Sequence, residues 1–179
     1  QTYPDWHMVI VDDNSKDNTF DVARQIQAGE PDRISVKKFD ESMGLQKIAN
    51  WVLENTYSDY MIRLDADDWL DENALLVLVT AINRNDKQLA FGNFFYTDVE
   101  GNIIGVENNY NFNNQLESGL VPPHGACTLI KRSSFQDKGG YSEDLNAQDG
   151  FDLWDKLGGS RNAAFCQTPI FFYRQHGSS

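Results

Sequence analysis

Three carboxylates in four residues, Asp65, Asp67 and Asp68, follow directly on a short run of strand-forming residues that ends at Leu64. A second group, Asp12 and Asp13, follows the β-branched run His7–Val11 in the same way. Carboxylates gathered in one place repel one another, so a fold that assembles them usually supplies a cation. Hard oxygen donors without cysteine nearby suit Mg²⁺, Mn²⁺ or Ca²⁺ better than zinc. Asp-x-Asp occurs once in the chain, at Asp65-Ala66-Asp67. The plainer use of such acids is to sit at helix N-termini, where a negative charge contributes about 0.3–1 kcal/mol. That use suits Asp68 and Asp71, ahead of an apolar helical run. For Asp65 and Asp67 together, a strand running straight into three acids is more than a cap requires.

The elements that must position these groups alternate in the first half. His7–Val11 reads as a strand, and Asp17–Ala28 as a helix with Phe20, Val22, Ala23 and Ile26 on one face and Gly29 closing it. Arg33–Phe39, Asp59–Leu64 and Leu89–Tyr96 read as strands; Met43–Asn55 and Asp71–Ile82 read as helices. Strand–helix–strand connections of this length predict parallel pairing with helices covering the sheet. The fold class is α/β, a mostly parallel sheet flanked by helices. In such a sheet the carboxyl ends share one edge, so the topology would bring Asp13 beside Asp65 and Asp67.

The second half reads differently. A hairpin has Gly101-Asn102 at its tip, and Asn108–Asn114 is loop. Ala126–Lys131 is a strand, Ser133–Lys138 a short helix, Gly139-Gly140 a break and Phe151–Leu157 a helix. Ala164–Arg174 is an apolar strand interrupted by Pro169. With 179 residues and no repeat or linker, one domain is expected.

Composition removes several classes of function. Lys and Arg number 15 against 27 Asp and Glu, a net charge of −12, so no nucleic-acid partner is expected. A phosphorylated small molecule is still admissible if a divalent cation stands between the two sets of negative charge. Two cysteines, Cys127 and Cys166, make no disulfide scaffold and suggest a reducing compartment. The apolar stretch Ala74–Ile82 is too short to span a bilayer, and the polar first residues are unlike a signal peptide. The expectation is a cytoplasmic domain without an integral membrane segment; work at the inner face of the membrane stays open.

Two known site types combine strand-end acids with a cation. A phosphoacceptor receiver domain is one, but Asp65 is followed by Ala66-Asp67-Asp68-Trp69 and no Lys-Pro exists in the chain. The other is better matched. Ile10-Val11-Asp12-Asp13-Asn14-Ser15-Lys16-Asp17-Asn18-Thr19 resembles the Val-Asp-Asp-Gly-Ser-x-Asp-x-Thr signature of family-2 glycosyltransferases with the GT-A fold. Leu64-Asp65-Ala66-Asp67-Asp68 resembles their metal-binding Asp-x-Asp motif. Gly44 and Asn50 are similar to the family's Gly…Ala-Arg-Asn helix start, with Lys47 in a position neighbouring the usual Arg. Gly139-Gly140-Tyr141-Ser142-Glu143-Asp144-Leu145 resembles Gly-Gly-Tyr-Asp-Glu-x-Leu. Gln148-Asp149-Gly150-Phe151-Asp152-Leu153-Trp154 takes the place of the acidic motif holding the catalytic base, and Tyr173-Arg174-Gln175-His176-Gly177-Ser178 is similar to the closing Tyr-Arg-x-His-Gly-x-Ser. One departure is at the start: family members place a strand and a helix before a segment like Gln1-Thr2-Tyr3-Pro4-Asp5-Trp6. The expectation is therefore an N-terminally truncated domain, with reduced stability or with the gap in the sheet filled by other means.

The resemblance implies a Rossmann-like GT-A sheet with a smaller antiparallel portion on the acceptor side, residues 1–98 serving the donor and residues 99–179 the acceptor. It implies transfer of a sugar, with inversion, from a nucleoside diphosphate donor (UDP by default) to a hydroxyl of a saccharide or lipid-linked acceptor. It implies Mn²⁺ or Mg²⁺ held by Asp67 and Asp65, with His176 completing the shell. Asp13, less so Asp12, would accept hydrogen bonds from the nucleoside, with Ser15, Asp65 and Lys47 also on the donor. Asp149 is the implied general base, and Asp152, three residues on, the reserve candidate. His124 and Trp69 are weaker candidates for sugar contacts, and Arg63 is expected to pair with a neighbouring acid or face solvent. The alternative is a catalytically inactive nucleotide-sugar-binding fragment of the same fold.

Overall fold

The computed structural model describes residues 1–107, 125–144 and 149–176, with only the backbone of residue 149. The Asn-rich loop and His124 lie outside the described residues. The chain forms two compact units, Pro4–Thr56 and Gln1–Tyr3 with Tyr57–Ser179. The assignment of residues 1–98 and 99–179 to different ligands is a functional one on which this packing does not bear.

The unit Pro4–Thr56 is a βαβα run: β1 (Met8–Asp12), α1 (Thr19–Gly29), β2 (Ile34–Lys38) and α2 (Leu45–Asn55). β1 and β2 pair in parallel from Met8↔Ile34 to Asp12↔Lys38, as their connection through a helix predicts. The helices lay small and apolar side chains inward, Ala23 from α1 and Ala49 and Leu53 from α2. Ile34 is buried with them.

The larger unit is built on a six-stranded sheet. Its strands are β3 (Tyr60–Ile62), β4 (Trp69–Leu70), β5 (Leu89–Thr97), β6 (Ile103–Glu107), β7 (Leu129–Lys131) and β8 (Ala163–Arg174). They run in the order β3-β7-β5-β8-β4, with β6 also on β5. The longest ladder, β5–β8, is parallel, whereas β3, β4, β6 and β7 all pair antiparallel. The strand expected over Asp59–Leu64 thus does not join a parallel array. Its partner β7 arrives from the second half of the chain and runs the other way. Helix α3 (Ala74–Asn85) packs Ala74, Leu78 and Ile82, four residues apart, against Ala90, Leu129, Ala164, Ile170 and Phe171. Two shorter helices follow, α4 (Arg132–Asp137) and α5 (Asp149–Lys156).

Pro169 marks an irregularity where expected. The β5–β8 register jumps from Gly92↔Cys166 to Asn93↔Pro169, placing the residue that lacks an N–H at a bulge. Helix α3 starts at Ala74 rather than Asp71, because the Asp71 amide still donates across to Ile170 O (2.9 Å) and a turn over residues 72–73 precedes the helix. The amino terminus belongs to this unit: the Thr2 amide donates to Glu72 O (2.8 Å), and Gln1 Oε1 accepts the Leu75 amide in the first turn of α3 (3.1 Å).

Candidate active site

The strand β4 decides where the acids of the Asp-x-Asp segment go. Its register against β8 is Trp69↔Phe172 and Leu70↔Phe171, running antiparallel. Extended one step, it sets Asp68 beside the end of β8, where Asp68 Oδ1 accepts the Arg174 amide at 3.0 Å. Asp68 is buried, so its work is to lengthen this ladder and not to cap α3. Asp71 lies ahead of the helix, accepting the Asn73 amide at 2.9 Å in the turn that leads into α3, whose cap position is Asn73.

The next residue outward is Asp67, and the chain leaving β8 meets it. Asp67 Oδ2 and His176 Nε2 lie 2.9 Å apart, with 47% and 54% of their side chains exposed. The hydrogen bond to His176 outweighs partial burial and, helped by the charge of Arg174, holds the Asp67 carboxyl below its usual range. A carboxylate and an imidazole on an open rim, from segments 109 residues apart, are what the structure brings together of the proposed metal set.

Asp65 is used differently. Arg63 Nε lies 2.9 Å from Asp65 Oδ1 as an ion pair, and an Arg63 terminal nitrogen donates to Oδ2 at 3.4 Å. Among the described residues, no three His, Cys, Asp or Glu side chains gather as a metal cage. An exposed carboxylate beside an imidazole is chemically suited to Mn²⁺ or Mg²⁺ where phosphate oxygens and water would fill the other positions.

Arg174 and Cys127, to which the sequence reading gave no role, lie in the same neighbourhood. The Arg174 guanidinium sits 5.3 Å from the Trp69 ring centroid, and its Nε is buried without a hydrogen-bond partner among the described residues. The signal for Arg174 was the Tyr-Arg of the closing motif. Trp69 also stacks on Phe172 at 5.1 Å, so its ring is occupied by packing. Cys127 has a left-handed backbone (φ 59°), is buried, and its amide donates to Arg63 O at 2.7 Å. Burial, with Asp68 and Asp65 nearby, pushes its thiol well up, which leaves it inert.

In the smaller unit, Asp12 faces inward and Asp13 faces a loop. Asp12 Oδ1 accepts the half-buried Ser15's amide at 2.8 Å, and Lys38, its partner across the ladder, approaches Oδ2 at 3.3 Å. The hydrogen bonding with Ser15 leads in holding the Asp12 carboxyl down. Asp13 Oδ1 accepts the Met43 amide (2.6 Å), and Oδ2 accepts the Ser42 hydroxyl (2.8 Å) and the Gly44 amide (3.1 Å). Burial pushes this carboxyl up, but Met43, Ser42 and Gly44 together outweigh it and hold it down. Among the described residues, three of about four acceptor positions are filled, which leaves one on Oδ1. Neither acid caps α1; Asp17 serves its start, accepting the Thr19 amide at 3.0 Å. Lys47 is exposed in the first turn of α2.

Asp149 is the first residue of α5, and Asp152 lies in the same turn. Asp152 is bound through both oxygens, to the Ser142 amide (2.7 Å), the Ser142 hydroxyl (2.9 Å) and Lys156 (3.1 Å). Trp154 packs edge-on against Phe91, 5.8 Å between centroids.

A mixed sheet with flanking helices is the fold this chain shares with solved GT-A glycosyltransferases. A fragment of TarS from S. aureus, solved with UDP-GlcNAc, superposes with a TM-score of 0.77 at 14% identity, covering 100% of this chain and 53% of that one. The mannosyltransferase PcManGT from Pyrobaculum calidifontis, solved with GDP-Man and Mn²⁺, gives 0.68 at 19% identity, covering 94% and 47%. In sequence, residues 1–139 match the model of glycosyl transferase family 2, and the chain belongs to that family. An uncharacterized glycosyltransferase of Rickettsia conorii is 25% identical over 173 residues, and the putative teichuronic acid biosynthesis glycosyltransferase TuaG of Bacillus subtilis is 38% identical over 68. The match covers 88% of this chain but 27% of the Rickettsia protein, so the chain spans about a quarter of that relative's length.

Proposed function

We propose that this chain is the donor-binding and catalytic part of an inverting glycosyltransferase that moves a sugar from a nucleoside diphosphate, UDP first among the candidates, to an acceptor hydroxyl. The observation that carries this reading is the 2.9 Å Asp67–His176 pair on an open rim, in a chain of glycosyl transferase family 2. Asp67 and His176 would hold Mn²⁺ or Mg²⁺, and an oxygen-plus-imidazole set favours the transition ion of the two. A bound divalent ion supplies Lewis-acid stabilisation of the negative charge that grows on the leaving diphosphate, worth several kcal/mol.

The remaining roles fall to side chains of the protein. Asp13 accepts one hydrogen bond from the nucleoside at its open position. Asp12 and Ser15 shape the turn beside it, Asp65 serves the ribose or shares the cation, and Lys47 offers a positive charge to the donor. Residues 1–98 serve the donor and residues 99–179 the acceptor, a saccharide or lipid-linked saccharide. Asp149 takes the acceptor proton as the oxygen attacks the anomeric carbon on the face opposite the leaving group. General-base help of this kind is typically worth about 10²–10⁴ in rate. We place the chain's work in the cytoplasm or at the inner membrane surface. Among the described residues no helix is long and apolar enough to cross a membrane.

The test follows the melting temperature while UDP is titrated with Mn²⁺, then Mg²⁺, in the wild type and Asp67→Ala. Metal-dependent stabilisation in the wild type and its loss in the variant support the site; no shift with any nucleoside diphosphate refutes it. Transfer from a panel of sugar nucleotides, abolished in Asp149→Asn, supports the reaction. Binding without turnover leaves the inactive fragment as the reading.

A further inference from the structure

We propose that Asp152 is a positioning residue: with Lys156 and Ser142 it clamps the first turn of α5 so that Asp149 meets the acceptor at a fixed distance. This rests on the reading above, in which Asp149 is the base. The helix has eight residues, begins Asp149-Gly150 and carries an early glycine, so it is too short and too weak to hold its place alone. Leu153 and Leu157 bury one side of this region, at 3% exposure each. The polar side is held by a closed network. The Ser142 amide and hydroxyl each donate to one Asp152 oxygen, at 2.7 and 2.9 Å. Lys156, one turn along, donates to Asp152 Oδ2 (3.1 Å), Ser142 Oγ (2.8 Å) and Gly140 O (2.6 Å), which uses all three of its protons.

The far end of the network is itself anchored. Gly139 and Gly140 both have positive φ, 81° and 68°, and form a turn off the end of α4. Next, the buried Tyr141 packs edge-on against Phe135 of α4, 4.8 Å between centroids. The tie thus runs from a core aromatic pair through Ser142 to the turn that starts with Asp149.

Asp152 is poorly suited to be the base itself. Burial pushes its carboxyl up, but Ser142 and Lys156 outweigh that and hold it below the usual carboxylate range. Its side chain is only 10% exposed, with both oxygens engaged. Positioning matters because a misplacement of about 1 Å at a reacting group can cost on the order of 10² in rate.

The experiment compares wild type, Asp152→Asn, Lys156→Met and Ser142→Ala by three readouts: kcat against pH, metal-dependent UDP affinity, and amide exchange over α5. The expected result for Asp152→Asn is a kcat loss of about tenfold or more with the acidic limb of the profile kept, and UDP affinity within about twofold of wild type. Exchange in the first turn of α5 rises. Lys156→Met follows in the same direction, and Ser142→Ala, which keeps the amide bond, shows the smallest change. Should Asp152→Asn fail to fold, Lys156→Met carries the same three readouts. Disappearance of the acidic limb in Asp152→Asn makes Asp152 the base and overturns the proposal. So do unchanged kcat and unchanged exchange in both Asp152→Asn and Lys156→Met. A wild type that transfers from no donor overturns the enzymatic reading and the catalytic purpose of the clamp, while amide exchange in the variants still decides whether the clamp exists.

Discussion

Replacing Asp68 by alanine should damage the Asp67–His176 site without touching either residue. Asp68 is 8% exposed and accepts the Arg174 amide at 3.0 Å, one step beyond the two rungs of the β4–β8 ladder. A hydrogen bond to a charged acceptor contributes about 1.5–3 kcal/mol, and its loss leaves the Arg174 amide unsatisfied. In a chain of this size each kcal/mol moves the melting temperature by roughly 2–4 °C, so a fall of about 3–12 °C is expected. Asp68→Asn keeps an acceptor oxygen and should recover most of it. The assay is thermal unfolding near neutral pH, with and without Mn²⁺ and UDP. The second half of the expectation is functional. With the ladder shortened, Asp67 and the segment reaching His176 lose their common register, and the Mn²⁺-dependent UDP shift shrinks even though both donors are present. An Asp68→Ala protein that melts within about 1 °C of wild type, well inside the expected fall, and keeps the full UDP shift refutes the claim that this ladder sets the site.

Gly92→Ala should destabilise the larger unit by about 1–3 kcal/mol, read as a lower urea midpoint. A Cβ there would stand 2.9 Å from Thr168 O and 3.0 Å from Ile170 Cγ1, and the backbone oxygen cannot swing away. Asp13→Ala removes three bonds to Ser42, Met43 and Gly44. Only the Met43 bond is part-buried, so the loss should be about 1.5–3 kcal/mol, visible as faster amide exchange at the start of α2. Asp152 gives a pH signature. Its folded-state pKa lies below the unfolded one, so its contribution is complete above about pH 5 and drains away as pH falls through the folded value. Urea unfolding at about pH 6 and pH 3 should show a smaller acid-induced loss in Asp152→Asn than in wild type; equal losses would count against the network.

The parallel βαβ start was legible because its signals are local. Periodic apolar faces, turn residues at strand ends and a helix-length connection leave few other arrangements. The second half was less so. β7 is three residues long and β4 two, too short to show alternation, and each exists only because a distant partner supplies its hydrogen bonds. Asp71 was read as the start of α3, but Asp71 N donates to Ile170 O at 2.9 Å and the chain is still strand-like there. Tertiary pairing overrode a helical propensity that was real three residues later.

The same contrast separates the acids. Spacing identified which carboxylates stood at strand ends but not what each would face. Asp12 and Asp13 are neighbours, yet alternation along the backbone turns Asp12 toward Lys38 and leaves Asp13 to the loop before α2. Asp65, Asp67 and Asp68 divide likewise into an arginine partner, a histidine partner and a ladder rung. Only Asp67 keeps an exposed carboxylate opposite a second donor, because β4 runs antiparallel to β8 and carries the chain outward as His176 arrives from the other side. A one-residue slip in that two-rung ladder would turn Asp68 to the rim and bury Asp67. The site therefore depends less on the number of acids than on the parity of β4, the shortest strand among the described residues.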